Sequence, residues 1–534
     1  MPLRPLTLLA LAIAPICIHA SDTSAWRSEL FPEEWRPENV ETDGRFLHDF
    51  SYAGYRRGEA EPPRVDGPVH DAVRDCGADN TGKTDATGAI QAAIDAAQSA
   101  GGGVVFIPEG DYLCLGGIRI VQKGVVLRGA GPGKTRLFFH DESSPKGINI
   151  LINGESSSDL GTMLVRDVDR FSRDLFVKDA GGWSVGDDID VGWVISDAFI
   201  EEHGMTGVWK PHNGKWLSFF RVNIVAIDTG VTPNRITVDV PLRYPAKLRD
   251  AASIKRRTRY LEECGVEDLS IANALPDALV NQKPQSVRRE AIRLNYAKNC
   301  WIRNVTTFAP SNDRVTSTHH LYDRGMVIQN SKRITVTDCV LQNAQRRDGG
   351  GHGYLYEILG CNDVLFRDCA GIGGRHNFTV GWLFGSVGNV FLRCHSANGS
   401  LSDWKNALGP SDFHHSLAIA ALIDSCVIDD GWEAMNRGSM SGGAGHTATE
   451  SVFWNCRGNG VIRSAQYGWG YLIGNAASLR IMAEVDLAKP DLNWLETQFK
   501  GTLPIDFVEG TGRGDTLVPQ SLYEEQRRLR LRAR

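Results

Sequence analysis

One pattern recurs five times in the second half of the chain: Val336-Thr-Asp-Cys339, Phe366-Arg-Asp-Cys369, Phe391-Leu-Arg-Cys394, Ile423-Asp-Ser-Cys426 and Phe453-Trp-Asn-Cys456. Successive cysteines are 30, 25, 32 and 30 residues apart. A short turn follows each cysteine, at Asn343-Ala344, Gly373-Gly374, Asn398-Gly399, Asp430-Gly431 and Asn459-Gly460. A period of this length, with runs too short for helices, is typical of the coils of a parallel β-helix. We therefore expect an all-β solenoid.

The repeated cysteines fit a structural role. The sequence contains no Cys-x-x-Cys pair, which metal and redox sites commonly use. One small apolar side chain at the same place in each coil would instead form a stacked ladder inside the solenoid. Ten cysteines after the first 20 residues are too sparse for a disulfide scaffold. The sequence does not decide whether some of them pair in disulfides.

Upstream of the repeat, the chain predicts one amphipathic helix followed by short strands. Asp85 and Thr87 offer N-caps, and apolar residues follow at helical spacing: Ala86, Ala89, Ile90, Ala93, Ile94 and Ala97. Gly101-Gly-Gly103 ends the helix, and strand-forming runs come after it at Val104–Ile107, Ile118–Ile120 and Val125–Leu127. Such a helix would cap the solenoid, because the first coil otherwise exposes unpaired strand edges.

The repeat spacing breaks between about residues 154 and 258. Apolar and polar residues alternate there, as in antiparallel hairpins, at Gly182–Val191, Arg221–Asp228 and Arg235–Val240. We expect a β-rich insertion, after which the solenoid resumes near Val266–Ile271. The predicted β-helix therefore spans residues 67–474 and is interrupted at about 154–258.

The two ends of the chain differ from the solenoid. Within residues 1–20, Arg4 precedes an apolar run from Leu6 to Ile18 that is too short for a membrane span and resembles a cleaved secretory signal peptide. This predicts a secreted or periplasmic protein without stable membrane insertion. Residues 21–66 are predicted to form an extended N-terminal arm, and residues 475–534 a C-terminal cap. The capping box Ser521-Leu-Tyr-Glu524 begins a terminal amphipathic helix with a basic end, which we expect to pack on the solenoid.

Composition narrows the class of protein. Hydrophobic residues make up 42% of the 534 residues and charged residues 23%, with a net charge of −6. These values exclude a disordered chain, a collagen-like fibre and a basic nucleic-acid binder. The 57 glycines favour a chain full of turns, since glycine destabilises helix interiors by about 1 kcal/mol relative to alanine. The oligomeric state stays open.

The stretch from Val69 to Thr135 resembles the start of the pectate lyase superfamily. The matching residues are Asp75-Cys-Gly-Ala78, Gly82-Lys-Thr-Asp85, Ala89-Ile-Gln-Ala-Ala-Ile94, Gly101-Gly-Gly-Val-Val-Phe-Ile-Pro108, Gly110-Asp-Tyr112 and Gly124-Val-Val-Leu-Arg-Gly129. The resemblance implies a right-handed parallel β-helix with an N-terminal capping helix, and a carbohydrate-active protein that binds polysaccharide in a groove along the solenoid. Lyases, hydrolases, epimerases and phage tailspikes share this N-terminal motif, so the motif does not indicate which residues are catalytic.

Three narrower motifs do not match. Polygalacturonases have Asp-Asp, then Gly-His-Gly, then Arg-Ile-Lys; here Asp429-Asp430 and Gly445-His446 are too close together and no Arg-Ile-Lys follows. The calcium-binding nonapeptides of some secreted epimerases are absent. A phosphate-binding loop needs four residues between its first glycine and the glycine before the lysine. In Gly129-Ala-Gly-Pro-Gly-Lys-Thr135 only three residues lie between Gly129 and Gly133, so a tight turn is the better interpretation.

Chemically active side chains concentrate between Arg346 and Arg463. Aligned on the turn glycines, several of them would stack at one edge of successive coils, although a shift of one residue would exchange inward and outward positions. Indole faces stack on sugar rings, and Arg binds carboxylate or sulfate with paired hydrogen bonds. We predict catalytic roles for Asp412, Glu433, His376, His414, Asp430 and His446. Substrate binding is predicted for Arg375, Arg437, Arg463, Tyr356, Trp382, Trp432 and Trp469. A solvent-facing polar ladder is the structural alternative.

These residue types suit two chemistries. β-Elimination beside a uronate carboxyl needs a base, an acid and a cation that neutralises the carboxylate, which His, Tyr and Arg can supply. Hydrolysis or fructosyl transfer needs two carboxylates. Asp412 and Glu433, one coil or roughly 4.8 Å apart, would fit the separation of about 5–5.5 Å found in retaining enzymes.

We favour a secreted enzyme that cleaves an acidic polysaccharide or oligosaccharide by β-elimination. A glycoside hydrolase or glycosyl (fructosyl) transferase and a non-catalytic carbohydrate-binding or tailspike-like protein are the alternatives. The metal requirement stays open: Ca²⁺ could bind the acids of Asp187-Asp-Ile-Asp190 or of residues 429–433, but clustered acids are more often solvated turns.

Overall fold

The computed structural model describes residues 24–140, 146–276, 288–400, 409–483 and 502–533. The signal peptide expected at residues 1–20 lies outside these ranges, as does part of the C-terminal cap. No helix within them is both long and apolar enough to cross a lipid bilayer.

The strands are numbered in chain order. Those before the insertion are β1 (Val69–Asp71), β2 (Thr81–Asp85), β3 (Gly103–Ile107), β4 (Gly110–Cys114), β5 (Ile118–Ile120), β6 (Val125–Gly129), β7 (Thr135–Phe139) and β8 (Lys146–Asn153). The insertion contains β9 (Gly161–Met163), β10 (Asp174–Val177), β11 (Asp188–Val194), β12 (Trp216–Asp228), β13 (Asn234–Val238) and β14 (Ser253–Arg257).

The strands that follow the insertion belong to the solenoid. The first group is β15 (Leu261–Glu262), β16 (Gly265–Ala272), β17 (Arg288–Asn295), β18 (Ala297–Lys298), β19 (Trp301–Thr307), β20 (Arg324–Gln329), β21 (Thr335–Thr337), β22 (Val340–Gln342), β23 (Tyr354–Leu359), β24 (Leu365–Arg367), β25 (Ala370–Ile372), β26 (His376–Val380), β27 (Val390–Leu392) and β28 (His395–Ala397). The second group is β29 (Ser411–Phe413), β30 (Ala418–Ile419), β31 (Leu422–Asp424), β32 (Val427–Ile428), β33 (Gly431–Ala434), β34 (Ala448–Thr449), β35 (Val452–Trp454), β36 (Val461–Ser464), β37 (Tyr471–Ile473), β38 (Arg480–Met482) and β39 (Phe507–Glu509).

Helices are few in the described ranges. They are α1 (Thr87–Ser99), α2 (Asp197–Glu202), the single turn α3 (Met440–Gly443) and α4 (Leu522–Arg532), with 3-10 turns at Tyr55–Gly58, Leu248–Asp250 and Gly514–Thr516.

The chain forms the predicted right-handed parallel β-helix. One parallel sheet, here called the front sheet, consists of β5, β8, β17, β20, β23, β26, β29, β33, β36 and β38. A second parallel sheet contains most of the other solenoid strands. Successive coils pair in register, so that the apolar residues that begin each repeat stack in one row: Val336, Phe366, Phe391, Ile423 and Phe453.

The cysteine pattern marks one corner of each coil. The residue before each cysteine has a left-handed φ between 50° and 56°, at Asp338, Asp368, Arg393, Ser425 and Asn455. This residue turns the chain between two short strands, such as β21 and β22, and directs the cysteine into the core. The five thiols are buried and unbridged. The predicted internal ladder is therefore confirmed.

Helix α1 packs across the first coils and buries its predicted apolar stripe, Ile90, Ala93, Ile94 and Ala97. Its N-cap is Ala86 rather than Asp85 or Thr87. The Asp85 carboxylate instead accepts hydrogen bonds from the backbone of Thr87 and of Leu115, each 3.0 Å long. Asp85 therefore joins the start of the helix to the neighbouring coil.

The segment expected as an insertion holds an antiparallel sheet in the order β10-β13-β12-β11-β14-β9. Trp193 and Phe219 from this sheet stack with ring centroids 3.7 Å apart. They belong to a second hydrophobic cluster, outside the solenoid, that also includes Phe384 and Leu422 of the solenoid wall. Asn362 donates to the backbone oxygens of Phe219 and Gly385, at 3.1 and 2.9 Å. The insertion is thus fixed to the turns that follow β23 and β26.

The N-terminal arm and α4 pack together along the solenoid. Tyr523 donates its hydroxyl proton to the Ala53 carbonyl at 2.8 Å, and its backbone N–H donates to Asp424 of β31 at 2.9 Å. The Arg530 guanidinium donates to the Ser51 carbonyl at 2.9 Å. The basic residues of α4 are thus partly used to hold the arm.

Candidate active site

The front sheet presents two rows of polar side chains that point out of the solenoid. In the first row Tyr354 lies beside His376. The second row runs through Thr379, Asp412, Glu433 and Arg463. Neighbours in such rows are roughly 4.8 Å apart, the spacing of paired strands. Tyr354 and Asp412 nevertheless expose only 0% and 2% of their surface. The two rows therefore lie in an environment of low dielectric, and the site that they line is here called the cleft.

Asp412, His414 and Tyr354 form a hydrogen-bonded chain. His414 Nδ1 lies 2.5 Å from Asp412 Oδ2, and the Tyr354 hydroxyl lies 3.3 Å from His414 Nε2. We place the proton on Nδ1, because the carboxylate can only accept. His414 Nε2 then carries a lone pair that faces the tyrosine hydroxyl.

Arg437 supports this chain from the other side. Its Nη1 lies 2.9 Å from His414 Nδ1, 2.8 Å from the His414 carbonyl oxygen and 3.5 Å from Asp412 Oδ2. With Nδ1 protonated, the guanidinium donates to the carbonyl oxygen and faces the carboxylate. Arg437 thus fixes the backbone and the carboxylate that together orient the imidazole.

His376 offers a second unprotonated nitrogen to the same cleft. Its Nδ1 lies 2.5 Å from the Pro410 carbonyl oxygen, which can only accept, so Nδ1 carries the proton. Its Nε2 is buried without a hydrogen-bond partner in the described part of the chain. The His376 ring lies 5.1 Å from Tyr354 and 5.2 Å from His414, measured between centroids. Three proton-transfer groups therefore meet in one small space.

Burial sets the protonation state of these groups. It lowers the pKa of His376 to about 3, and burial together with Arg437 lowers the pKa of His414 well below its ordinary value of 6.5. Burial also raises the pKa of Tyr354 to about 12 and that of Glu357 to about 7. Near neutral pH the cleft thus holds two neutral imidazoles beside a protonated phenol.

The arginines of the cleft fall into two groups. Arg324 pairs with Glu357 at 2.6 Å, and Arg463 pairs with Glu433 at 2.8 Å. Arg375 contacts no carboxylate among the described residues, since its Nη1 donates to a backbone oxygen at 3.3 Å and its Nε is buried without a partner.

Arg347 lies next to Arg375 and resembles it. Its Nη1 donates to Ser400 Oγ at 2.6 Å, and within the described ranges it too contacts no carboxylate. Both side chains approach Gly353, where an added Cβ would lie 3.1 Å from each. This end of the cleft therefore has an excess of positive charge and suits an anionic ligand.

Trp382 lies at the open edge of the cleft. Its side chain is 43% exposed, and its indole stacks on His415 with centroids 4.2 Å apart and planes 22° apart. His415 in turn donates from Nε2 to the Ser441 carbonyl oxygen at 2.8 Å. A fixed, exposed aromatic face beside the proton-transfer groups suits stacking on a sugar ring.

The structure thus brings together eight of the predicted site residues: His376, Asp412, His414, Glu433, Arg375, Arg437, Arg463 and Trp382. It separates the aromatic residues Tyr356, Trp432 and Trp469 from them. Tyr356 and Trp432 stack on Phe378 inside the solenoid, and Trp469 packs against the outer hydrophobic cluster. A sugar in the cleft cannot reach these three rings.

Asp430 and His446 also lie outside the cleft. Asp430 points inward, where it accepts hydrogen bonds from Asn377, Ser396 and the Gly399 backbone at 2.8 to 2.9 Å. The His446 ring packs on Tyr467, with centroids 5.1 Å apart. Asp430 thus belongs to a polar network inside the solenoid, and His446 lies at the contact with the insertion, with its ring centroid 6.5 Å from that of Trp209.

Four cleft residues were missing from the predicted set: Tyr354, Arg324, Glu357 and Arg347. Tyr354 and Tyr356 are two residues apart, which in a regular strand would place them on one face. Here Leu355 and Tyr356 both enter the core, while Tyr354 and Glu357 point out. The strand bends between them, and the alternation of apolar and polar residues carries no signal of that bend.

A metal ion is poorly accommodated by the cleft. His376, Asp412 and His414 each have a ligand atom within 4.8 Å of the others. Ca²⁺ prefers a shell of oxygen ligands, which two imidazoles do not provide. The His414–Asp412 hydrogen bond and the adjacent Arg437 guanidinium occupy the same lone pairs. We therefore assign no metal ligands here.

Three acids of the two segments that could bind Ca²⁺ have other partners. Asp188 pairs with Lys298 and Lys332, each at 2.7 Å. Glu433 pairs with Arg463, and Asp430 accepts from inward-facing donors. These three carboxylates are already engaged, so we assign no calcium ligands to either acidic segment.

Comparison with known proteins supports the family resemblance for the first coils. Residues 72–165 match the family described as "Rhamnogalacturonase A/epimerase, pectate lyase-like". Alginate lyase 7 of Azotobacter vinelandii is 45% identical over 97 residues, which are 17% of this chain and 11% of that protein. The mannuronan C5-epimerase AlgE4 of the same organism is 40% identical over 97 residues, 17% of this chain and 18% of the epimerase.

The chain thus spans less than a fifth of these two relatives, and the family match ends before the cleft residues begin. Among solved structures, the tailspike gp61 of Pseudomonas phage phi297 superposes with a TM-score of 0.46 at 13% identity, covering 78% of this chain and 68% of the tailspike.

Proposed function

We propose that the protein is a polysaccharide lyase that cleaves a uronate-containing polysaccharide by β-elimination. The observation that carries the proposal is the Asp412–His414–Tyr354 chain at the end of the cleft where Arg375 contacts no carboxylate of the described residues. A base, an acid and an unpaired cation are the three groups that this elimination needs. The similarity of the first coils to an alginate lyase and to mannuronan epimerases supports a uronate as the substrate class.

In the proposed reaction, Arg375 and Arg347 bind the uronate carboxylate and stabilise the negative charge that develops when C5 loses its proton. His414 Nε2 accepts that proton, and Asp412 stabilises the imidazolium. The C5–H electron pair forms the C4–C5 double bond, and the C4–O bond breaks with its electrons on the leaving oxygen. Tyr354 protonates this oxygen. The imidazolium then returns the proton to the tyrosine across the 3.3 Å contact.

An assay over polymannuronate, polyguluronate, polygalacturonate and neutral polysaccharides tests this proposal. We expect ultraviolet absorbance from the conjugated double bond, in step with new reducing ends, on at least one polyuronate. His395→Gln is a matched control for substitutions of the cleft histidines. His395 lies on the second sheet, away from the cleft, and pairs with Asp429 at 2.9 Å. New reducing ends without the absorbance would contradict elimination. A change at C5 detected by NMR without chain cleavage would indicate epimerisation, which begins with the same proton transfer.

Glycoside hydrolysis is the second candidate, and one observation favours it. Asp412 and Glu433 are register partners on β29 and β33, and burial raises the pKa of Glu433, as a general acid requires. Both carboxylates already have partners, however: His414 at 2.5 Å and Arg463 at 2.8 Å. Glu433→Gln would abolish hydrolysis but only weaken elimination, so this variant separates the two mechanisms.

We also propose that the protein acts outside the cytoplasm, on the basis of the apolar run that follows Arg4. Cell fractionation of the full chain and of a chain without residues 2–20 tests this. The full chain is expected in the periplasm or medium, and the shortened chain in the cytoplasm. Cytoplasmic location of the full chain would contradict the proposal.

A further inference from the structure

A cavity of about 560 Å³ opens between the insertion and the solenoid. Trp216, Arg221 and Lys255 line it from the insertion, and Tyr296, Asn330 and Leu383 line it from the solenoid. Tyr296 and Asn330 follow the front-sheet strands β17 and β20, and Leu383 follows β26. The cavity thus runs along three coil spacings of roughly 4.8 Å each.

Arg221 is the unusual residue of this cavity. It is 5% exposed, and its Nε and Nη1 have no hydrogen-bond partner among the described residues. Its Nη2 reaches only the Asn330 amide oxygen, at 3.4 Å. Asp190, its register partner on β11, is the acid that attracts it most strongly, but that carboxylate forms its ion pair with Arg257, at 2.7 Å. A buried guanidinium whose N–H groups lack acceptors is costly unless an anion completes the site.

Lys255 adds a second positive charge. Its ammonium lies 3.7 Å from the centroid of the Trp216 ring and forms no ion pair within the described ranges. Asp159, an acid of the cavity wall, is engaged by Arg256 at 2.8 Å. The cavity therefore has aromatic walls and two cations that form no ion pair with a described carboxylate, which suits an anionic sugar better than a neutral one.

One short segment of the chain connects the cavity to the cleft of the candidate active site. Leu383 and Phe384 line it, and the preceding residue, Trp382, stacks on His415 beside the catalytic His414. A polymer chain that leaves the cleft over Trp382 therefore meets the cavity next, on the side of the earlier coils.

We propose that this cavity is a distal subsite that binds the carboxylate of a uronate unit of the same polysaccharide, through Arg221 and Lys255. The identity of the ligand rests on the proposed function; the site itself rests on the buried guanidinium and the cavity. The subsite would increase affinity for long oligomers and hold the polymer in register with the catalytic groups.

Calorimetry with polymannuronate oligomers of two to eight units tests the subsite, in a His414→Ala background that prevents turnover. We expect affinity to rise with length, and Lys255→Gln to weaken binding of the longest oligomer roughly tenfold, the effect of losing one charge-assisted contact. Arg221→Gln should do the same if it folds. Binding of the disaccharide and of carboxyl-reduced oligomers should change far less.

Arg235→Gln is the matched control. Arg235 is on β13 of the same insertion, pairs with Asp228 at 3.1 Å and does not line the cavity. Equal affinity of the Lys255→Gln and control proteins for long oligomers would overturn the subsite, as would failure of the His414→Ala protein to bind any polyuronate. Weakened binding in Lys255→Gln, together with no elimination by the unmodified protein, would retain the subsite and contradict the lyase proposal.

Discussion

His414 and Tyr354 are kept in opposite roles by one cause, their burial. A low dielectric favours the neutral form of each group, so the imidazole is unprotonated and the phenol is protonated near neutral pH. Asp412 and Arg437 add direction, because they fix which imidazole nitrogen faces the tyrosine. An unprotonated base and a protonated acid are therefore present at the same pH, as β-elimination requires.

Single substitutions in the hydrogen-bonded series Asp412–His414–Tyr354 should remove activity without unfolding the protein. We expect His414→Ala to lower kcat by about 10²–10⁴-fold, the usual contribution of general base catalysis. Asp412→Asn should also lower kcat strongly, since the amide no longer stabilises the imidazolium. Steady-state kinetics on the best polyuronate measure both effects. Near-normal kcat in either variant would remove this chain from the mechanism.

The pH dependence should report the shifted pKa values. The base must be unprotonated, and its pKa is lowered, so the acidic limb of kcat/KM should lie well below pH 6.5. The acid must be protonated, and the pKa of Tyr354 is raised to about 12, so activity should persist to pH 10. Initial rates between pH 4 and 10 check this. An acidic limb at an ordinary histidine pKa would contradict the assignment of His414.

At the scale of the elements, the corner before each cysteine decides how a coil is built. Asp338 and its equivalents in the other repeats adopt a left-handed φ, which costs roughly 1–2 kcal/mol for a residue with a Cβ. Asp and Asn tolerate this conformation better than most residues, and they occupy three of the five corners. The apolar-x-x-Cys pattern therefore indicates a short strand, a turn at the residue before the cysteine, and a second short strand.

Substitution at one corner should separate backbone strain from other effects. Asp338 is exposed and has a φ of 56°. We expect Asp338→Val to lower the thermal midpoint relative to Asp338→Gly, because a β-branched side chain disfavours this φ and glycine does not. Differential scanning calorimetry measures the order. Equal midpoints would show that the corner does not limit stability.

The elements of the site could be predicted only in part from the sequence. The repeat placed His376, Asp412, Glu433 and Arg463 on successive coils, and strand pairing joins Asp412, Glu433 and Arg463 in one row. The prediction that Tyr356 and Trp432 bind substrate is wrong, since both face the core. The bend after Leu355 and the precise register depend on packing of the whole coil. Aromatic residues serve equally well in a core and on a sugar-binding surface, so their type did not distinguish the two.

At the scale of the whole molecule, the insertion gives the solenoid a second layer beside the front sheet. Its strand β12 contacts the turn at Gly385 closely: an added Cβ there would lie 2.0 Å from the Ser218 carbonyl oxygen. This contact joins the layer that carries Arg221 to the coil that carries Trp382. The cavity between them exists only because the two parts of the chain dock.

Substitution of Gly385 should weaken this docking. We expect Gly385→Ala to lower the thermal midpoint and to speed hydrogen exchange in β11 and β12. Gly186→Ala is the control, since Gly186 also has a positive φ but no atom within 4 Å of an added Cβ. The control carries only the backbone strain, so its midpoint should fall less. Equal effects in both variants would show that the close contact adds nothing to docking.

The amino-acid sequence by itself determined the solenoid, its cap and its corners, because these depend on contacts between residues one coil apart and on local backbone preferences. The opening motif added the superfamily resemblance. Only the tertiary structure decided which polar residues share the cleft, which arginines form no ion pair with a carboxylate of the described residues, and where the insertion forms a cavity. These properties arise from burial and from contacts between distant segments, such as Arg221 with Asn330. The order of residues in the sequence does not indicate which charged groups will form ion pairs in the folded protein.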